Sequence, residues 1–239
     1  MKALLFAAGL GTRIQEISKG KPKALVVLNN KELIVHAIEY LHKNKIEEVI
    51  VNIHHQSKMM IDFISNYKFP IPVTISDESD LLLDTGGGLL NVKDFFKSED
   101  TFVIYNVDVL TNLDLSKMFE FHKATNALAS LAVRDRNTSR YLLFNKNNKM
   151  IGWENVGSGE KILHSSEASE RLAFSGIHIL STKIFSLLED SERIFSITKS
   201  YIKLSKEYLI QGYVHDNDYW FDVGKPESYY QAEKFLLKY

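Results

Sequence analysis

Short apolar runs alternate with stretches of helical periodicity through the first half of the chain, and this alternation constrains the fold more than any other feature. Ala3–Ala7 is continuously apolar, the pattern of a strand buried on both faces. Leu33, Ile34, Ala37, Ile38 and Leu41 recur at helical spacing and predict an amphipathic helix over 31–44. Val49–Ile53 reads as the next strand, Met59, Met60, Phe63 and Ile64 mark a second helix, and Val73–Ile75 is a third strand. A helix near 86–96 and a strand at Thr101–Tyr105 continue the order. Strands separated regularly by helices predict an α/β fold, a mostly parallel central sheet with helices on both faces.

The second half is less regular. Ala127–Val133, Tyr141–Phe144 and Ala173–Leu180 have strand character, Asn145–Asn148 is a turn, and a further strand lies near 208–214. Helices are expected over 182–190 and 195–205. Pro226 suits the first turn of a final helix carrying Tyr230, Ala232, Phe235 and Leu236. Residues 154–170 are rich in Gly, Ser and Glu and read as a mobile surface loop. With 239 residues, no internal repeat and no long linker, the expectation is a single domain over 1–239.

Composition narrows the functional classes. The chain has no cysteine, which excludes a disulfide framework, a thiolate zinc site and a cysteine nucleophile. Lys and Arg (29) nearly balance Asp and Glu (30), so the basic field of a nucleic-acid binder is missing. No apolar run approaches a membrane span, and the N-terminal stretch breaks at Gly9 and Gly11 before it forms a signal-peptide core. The expected setting is cytoplasmic, without nucleic-acid or membrane partners.

Chemistry concentrates after the first strand. Ala7-Ala8-Gly9-Leu10-Gly11-Thr12-Arg13 places two glycines where a buried strand ends, so backbone N–H groups can approach an anion. Between residues 13 and 23, Arg13, Lys19, Lys21 and Lys23 face only Glu16, a surplus suited to a polyphosphate. Several readings compete with a plain glycine turn bearing solvated lysines. A dinucleotide-binding turn needs a third glycine where Ile14 stands. A G-x-x-x-x-G-K-[ST] phosphate loop is absent from the chain. The third reading is a resemblance: G-x-G-T-R, a spacer and then Lys21-Pro22-Lys23 is similar to the signature of sugar nucleotidyltransferases.

Further segments carry the same resemblance in order along most of the chain: Pro22-Lys23-Ala24-Leu25, Asp84-Thr85-Gly86-Gly87-Gly88, Asn106-Val107-Asp108, Trp220-Phe221-Asp222-Val223-Gly224 and, more weakly, Phe174-Ser175-Gly176-Ile177. The chain resembles the nucleoside-diphosphate-sugar pyrophosphorylase superfamily. It is most similar to the short bacterial branch of N-acetylmuramate-1-phosphate uridylyltransferases and mannose-1-phosphate guanylyltransferases. It departs from the pattern at Val107, where many members have Gly, and at Trp153-Glu154-Asn155, near the place where many carry Glu-Lys-Pro. The spacer at Gln15–Ser18 also lacks a common proline.

The resemblance implies a Rossmann-like three-layer sandwich, the nucleotide-diphospho-sugar transferase fold, without the C-terminal β-helix of longer relatives. A nucleotide-binding half would cover about 1–110 and a sugar-binding half about 111–239. The implied reaction is Mg²⁺-dependent transfer of a nucleoside monophosphate from an NTP to a sugar 1-phosphate, giving an NDP-sugar and pyrophosphate. Such NDP-sugars are precursors of cell-wall or surface polysaccharide. UTP with N-acetylmuramate 1-phosphate is the first expectation, and GTP with a mannose- or heptose-type phosphate the second. A CTP:phosphocholine cytidylyltransferase, with Tyr141, Trp153 and Trp220 as an aromatic cage, and a non-catalytic nucleotide-sugar sensor are further alternatives. A monomer or small homo-oligomer is expected.

The chemistry needs cations rather than a base. A phosphate monoester has a second pKa of about 6 and is already nucleophilic at neutral pH. Arg13 and Lys23 are the expected catalytic cations, and Ala8, Gly9, Gly11 and Thr12 join them around the nucleotide phosphates. Asp84, Gly86 and Gly87 are expected at ribose and base, with the three glycines in a loop. Asn106, Arg140, Ser175 and Gly176 are the candidates for the sugar phosphate. Asp108 and Asp222 are the candidate Mg²⁺ ligands, and Asn106 is expected to face the same way as Asp108 along an extended segment. Asp77, Glu78 and Asp80 read as a solvated acidic face. His54 and His55 read as surface or helix-capping residues.

Overall fold

The apolar run at the N-terminus forms β1 (Lys2–Phe6), which ends in the glycine loop, a 3-10 turn at Thr12–Ile14 and α1 (Gln15–Ser18). The structure, a computed structural model, describes residues 1–189 and 191–238. A two-strand ribbon, β2 (Val27–Leu28) and β3 (Lys31–Glu32), precedes α2 (Leu33–Lys43), β4 (Glu48–Ile53), α3 (Ser57–Asn66) and β5 (Val73–Asp77). Then come α4 (Asp84–Asn91), β6 (Thr101–Asn106), β7 (Val109–Thr111) and α5 (Leu115–Thr125). The second half comprises β8 (Ala129–Arg134), β9 (Arg140–Phe144), β10 (Met150–Asn155), β11 (Glu160–Leu163), β12 (Glu170–Ser181), α6 (Ile184–Leu188) and α7 (Ile197–Leu204). β13 (Ile210–Val214), β14 (Trp220–Asp222) and α8 (Pro226–Leu236) close the chain.

The centre of the sheet is parallel, in the order β6-β1-β4-β5, so four carboxyl ends share one edge. β12 lies antiparallel to β6 and carries the same sheet on through β9, β10 and β11. It also pairs with β8, which is parallel to β13. Side chains alternate across β1: Ala3 and Leu5 pack with α2, α3, α5 and α8, whereas Leu4 packs with α4, α6 and α7. The result is the helix–sheet–helix sandwich expected from the alternation. Among the described residues no helix is long and apolar enough to cross a membrane.

Several local expectations are corrected. Residues 154–170 are not one loop: β10 runs to Asn155, β11 pairs with it antiparallel, and β12 begins at Glu170. The polar composition there belongs to an exposed edge strand, which needs no apolar face. Lys31 and Glu32 pair with Val27 and Leu28 instead of opening α2. The helix expected over 182–190 is limited to Ile184–Leu188, and position 190 lies outside the described residues.

The largest correction concerns Gly86, Gly87 and Gly88, which lie buried inside α4 rather than in a loop. Helix propensity argues against three glycines, but tertiary packing requires them. A Cβ on Gly86 would collide with the Phe195 ring, and one on Gly87 with the Arg193 carbonyl oxygen. The Phe195 carbonyl accepts the Gly86 N–H at 2.8 Å, and the Thr85 hydroxyl oxygen accepts the Ile197 N–H at 3.0 Å. The segment before α7 is thereby latched to the first turn of α4.

Candidate active site

The carboxyl edge of the parallel strands collects the sequence-predicted groups. Past β1, Gly11 takes a left-handed conformation (φ +64°) that only a residue without Cβ adopts freely, and the loop turns back over Lys23. The Lys23 stem packs against Gly11, and its ammonium lies 3.6 Å from where a Gly9 Cβ would stand. Ala8 and Gly9 line a cleft of about 520 Å³ together with Arg13, Lys23, Asn106 and Asp108. Thr12 is exposed beside it.

Asp108 and Asp222 come together through a pairing the sequence did not reveal. β14 runs antiparallel to β7 with Asp222 opposite Val109, and the Val223 N–H donates to the Asp108 carbonyl at 2.9 Å. Asp108 Oδ2 and Asp222 Oδ1 lie 2.6 and 3.0 Å from one point, the place a Gly224 Cβ would take, and Arg13 Nη2 is 3.4 Å from the same point. Lys23 Nζ contacts Asp108 Oδ2 at 2.7 Å, and Arg13 Nη1 stands 3.8 Å from Asp222 Oδ2. Burial, and then the charge of Asp108, push the Asp222 carboxyl up, while Arg13 and Lys225 pull it down. Two carboxylates held this close repel unless cations lie between them. The donor set fits a small hard divalent cation that takes two protein oxygens and completes its shell from water and phosphate. Among the described residues no group of three or more His, Cys, Asp or Glu is placed to hold a metal.

Asn106 reaches the same cleft, but not along an extended segment. β6 ends at Asn106 and the chain turns at Val107-Asp108. Val107 is buried in the core without a positive φ, so the glycine common at this position is not required here. Gly176 (φ +79°) packs against Asn106, with Asn106 Nδ2 2.8 Å from where its Cβ would stand.

On the other side of β1, past β4 and β5, the acidic segment is not uniformly solvated. Asp77, Asp80 and Asp84 are exposed, but Glu78 is only 4% exposed and lines the cleft. The Asn52 amide donates to Glu78 Oε1 at 3.0 Å, and Asn52 Oδ1 accepts the Ala7 N–H at 2.9 Å. Burial pushes the Glu78 carboxyl up, while the Asn52 amide and the Leu83 N–H pull it down. His54 Nδ1 donates to the Glu78 carbonyl at 2.6 Å, and His55 is exposed. Asp84 occupies both clefts' linings, with its carboxylate accepting the Thr85 N–H at 2.6 Å.

A larger cavity of about 880 Å³ adjoins, lined by Arg136, Arg140, Tyr141, Trp153, Phe174 and Lys199 among others. Arg140 is exposed in its wall. Ser175 is fully buried, its hydroxyl 2.7 Å from His215 Nε2 and its carbonyl accepting the Trp220 indole N–H at 2.9 Å. Arg136 went unnoticed in the sequence, where only the Arg-Asp-Arg triplet following a strand could have flagged it. Its guanidinium lies 4.5 Å over the Trp220 ring and donates to the Phe174 carbonyl at 2.8 Å, with Nε buried and unpartnered. Burial lowers its pKa and the Asp222 charge opposes that. Trp220 therefore carries Arg136 on its face, while Tyr141 and Trp153 line the cavity.

A glycine loop and two cations facing two carboxylates stand at the carboxyl edge of a parallel sheet, the place where open α/β sheets bind ligands. The chain belongs to the Nucleotidyl transferase family, whose sequence model matches residues 2–239. It is 31% identical to D-glycero-alpha-D-manno-heptose 1-phosphate guanylyltransferase of Aneurinibacillus thermoaerophilus, over the whole of both chains. It is 29% identical to mannose-1-phosphate guanylyltransferase 1 of Arabidopsis thaliana, covering 99% of this chain and 65% of that one. Among solved structures, HddC from Yersinia pseudotuberculosis has the same fold (TM-score 0.80, 22% identity, 98% of this chain and 99% of that one). So does UTP-bound UGPase from Acinetobacter baumannii (TM-score 0.78, 22% identity, 100% and 94%).

Proposed function

We propose that this chain transfers a guanylyl group from GTP to a sugar 1-phosphate of the mannose or manno-heptose type, releasing pyrophosphate. The observation that carries the reaction class is the convergence of Arg13, Lys23, Asp108 and Asp222 at one end of the cleft. The guanylyltransferase names of the relatives favour this donor over the uridine nucleotide expected from the sequence. UTP with N-acetylmuramate 1-phosphate becomes the second reading.

An oxygen of the acceptor phosphate attacks the α-phosphorus in line. A new P–O bond forms as the bond from the α-phosphorus to the bridging oxygen breaks, and pyrophosphate leaves with the electron pair. Lys23 supports the charge that develops at the α-phosphate, and its contact with Asp108 holds the ammonium in place. Arg13, more exposed at 58%, grips the β- and γ-phosphates with its planar fork. Asp108 and Asp222 would hold Mg²⁺, which when bound supplies positive charge shared among phosphate oxygens. The nucleotide lies over the cleft lined mostly by the first half, 1–110, and the sugar over the cavity lined, apart from Asp84, by 111–239. Asn106 and Gly176 stand at the junction, with Arg136 and Arg140 on the sugar side.

The test is a matrix of four nucleoside triphosphates against mannose, manno-heptose and N-acetylmuramate 1-phosphates and phosphocholine, with and without Mg²⁺, reading pyrophosphate. The expected product requires GTP, Mg²⁺ and a manno-configured acceptor. Pyrophosphate from no combination, or only with phosphocholine, refutes the proposal.

A further inference from the structure

β12 changes partners in mid-strand. From Ile177 to Ser181 it pairs with β6, at the smaller cleft, and from Glu170 to Leu172 with β9, in the wall of the larger cavity. Between the two, its register against β8 shifts: Phe174 stands opposite Val133, but His178 stands opposite Leu131. Ser175, Gly176 and Ile177 therefore face Ala132 alone, and β12 bulges. A bulge bends its strand and leaves main-chain groups outside the ladder.

Side chains take up those groups. The Phe174 carbonyl accepts the Arg136 guanidinium at 2.8 Å, and the Ser175 carbonyl accepts the Trp220 indole N–H at 2.9 Å. Gly176, at φ +79°, brings the bulge against Asn106 and Val109. The Trp220 ring carries Arg136 at 4.5 Å, and Arg136 is close enough to Asp222 to feel its charge. The course of the bulge thus sets where Arg136 and Trp220 stand.

One residue holds the bulge from behind. Ser175 is fully buried, and its hydroxyl meets His215 Nε2 at 2.7 Å. The His215 main-chain N–H donates to the Val133 carbonyl at 3.1 Å, so the ring is anchored to the β8 residue at which the register slips. Among the described residues His215 Nδ1 has no hydrogen-bond partner, and Asp218 Oδ2 stands 3.7 Å away. The ring's hydrogen bonding is committed to Ser175. A buried hydroxyl stripped of its partner is costly, and a bulged strand has a neighbouring register into which it can slip.

We infer that His215 is a positioning residue for the acceptor: by holding the Ser175 hydroxyl it pins the β12 bulge, and the pinned Phe174 and Ser175 carbonyls aim Arg136 and Trp220 at the acceptor phosphate. This deepens the proposed function, because it rests on the larger cavity taking the sugar phosphate. His215 is enclosed and acts only through Ser175.

His215→Leu removes the contact, and His215→Gln restores it, because a glutamine amide reaches the place of Nε2 and can donate or accept there. The chain has two tryptophans, so Trp153→Phe assigns the Trp220 indole in a proton–nitrogen correlation spectrum of the free protein. The Trp220 cross-peak should move or broaden in His215→Leu and return in His215→Gln. Kinetics are measured with GTP and either mannose 1-phosphate or manno-heptose 1-phosphate, whichever releases more pyrophosphate. In His215→Leu, KM for the acceptor should rise about 10-fold while KM for GTP stays within about twofold of wild type. His215→Gln should return the acceptor KM to within about threefold. An unmoved cross-peak, equal changes in both KM values, a loss of kcat alone, or a Gln variant no better than Leu overturns the inference. If His215→Leu does not fold, Ser175→Ala decides, because it deletes the hydroxyl that His215 holds. It should give the same cross-peak change and the same selective rise in acceptor KM, and unchanged values overturn the inference. A wild-type protein that releases no pyrophosphate with either acceptor counts against the proposed reaction, and the cross-peak alone then decides whether His215 pins the bulge.

Discussion

Lys23 and Asp108 form an ion pair whose side chains are only 14% and 11% exposed. A buried pair of this kind adds little net stability, because desolvation offsets the attraction; under the proposed function it holds a cation where phosphate charge develops. Lys23→Ala should lower kcat by about 10²–10³-fold with an unchanged circular dichroism spectrum, and near-normal turnover in the folded variant would remove Lys23 from the mechanism. Asp222 is the opposite case, a group whose surroundings disfavour its charge. Asp222→Asn should abolish pyrophosphate release while raising stability by about 1 kcal/mol, a Tm increase of about 2–4 °C. A lower Tm in calorimetry would show that Asp222 stabilises the fold. Arg13 was legible in the glycine loop with its surplus of cations, and the two aspartates through the resemblance of their segments to the family's motifs. Glu78 was not, because one acid among four reads as solvated until the ends of β4 and β5 enclose it.

At the scale of elements, α4 and the segment leading into α7 behave as one unit. Gly86 and Gly87 let the backbone of Arg193–Phe195 lie directly on the helix, with Ile194 and Thr85 on the cleft wall. Gly87→Ala has no side-chain escape, since the colliding atom is a main-chain carbonyl. It should cost about 1–3 kcal/mol, read by thermal unfolding, and should raise KM for the nucleotide; an unperturbed Tm would mean the latch is loose. Periodicity located the long elements, and α8 begins at Pro226 as expected. It missed β7 and β14, three residues each, because a strand that short has no period to detect. That ribbon is nevertheless what brings Asp222 to Asp108.

For the whole molecule, buried histidines set the response to acid. His122, His178 and His215 are nearly inaccessible, and burial lowers their pKa values from 6.5 to about 4, about 3 and about 4. Each is neutral in the folded state, with His178 Nδ1 2.6 Å from the Tyr201 hydroxyl and His122 Nδ1 2.9 Å from the Ser130 hydroxyl. Below pH 6.5 the unfolded chain binds protons that the folded one refuses, so stability falls with pH until the folded values are reached. Between pH 6.5 and 5 the loss is roughly 2 kcal/mol for each histidine. Glu78, Asp218 and Asp222, whose carboxyls are pushed up, act in the opposite sense nearer pH 4. Thermal unfolding should show Tm dropping from pH 7 to 5, and His178→Phe should flatten that slope by about a third. A pH-independent Tm over this range would mean that the histidines are hydrated.

The sequence alone determined the βαβα order, the parallel sheet centre and the cationic glycine loop, while Asp108 and Asp222 stood out only through the family resemblance of their segments. The first three rest on local periodicity, on the conformational freedom of glycine or on a surplus of cations in one loop, and those signals lie within a few residues of one another. Tertiary structure alone decided that Asp108 and Asp222 approach one point, that the α4 glycines serve packing, and that Glu78 rather than Asp84 is enclosed at the cleft. Each of those facts depends on the approach of segments far apart in the chain, from about 25 residues for Asn52 and Glu78 to more than 100 for the latch between Thr85 and Ile197. Proximity of that kind is set by how the sheet edges and helices pack, which no local pattern encodes.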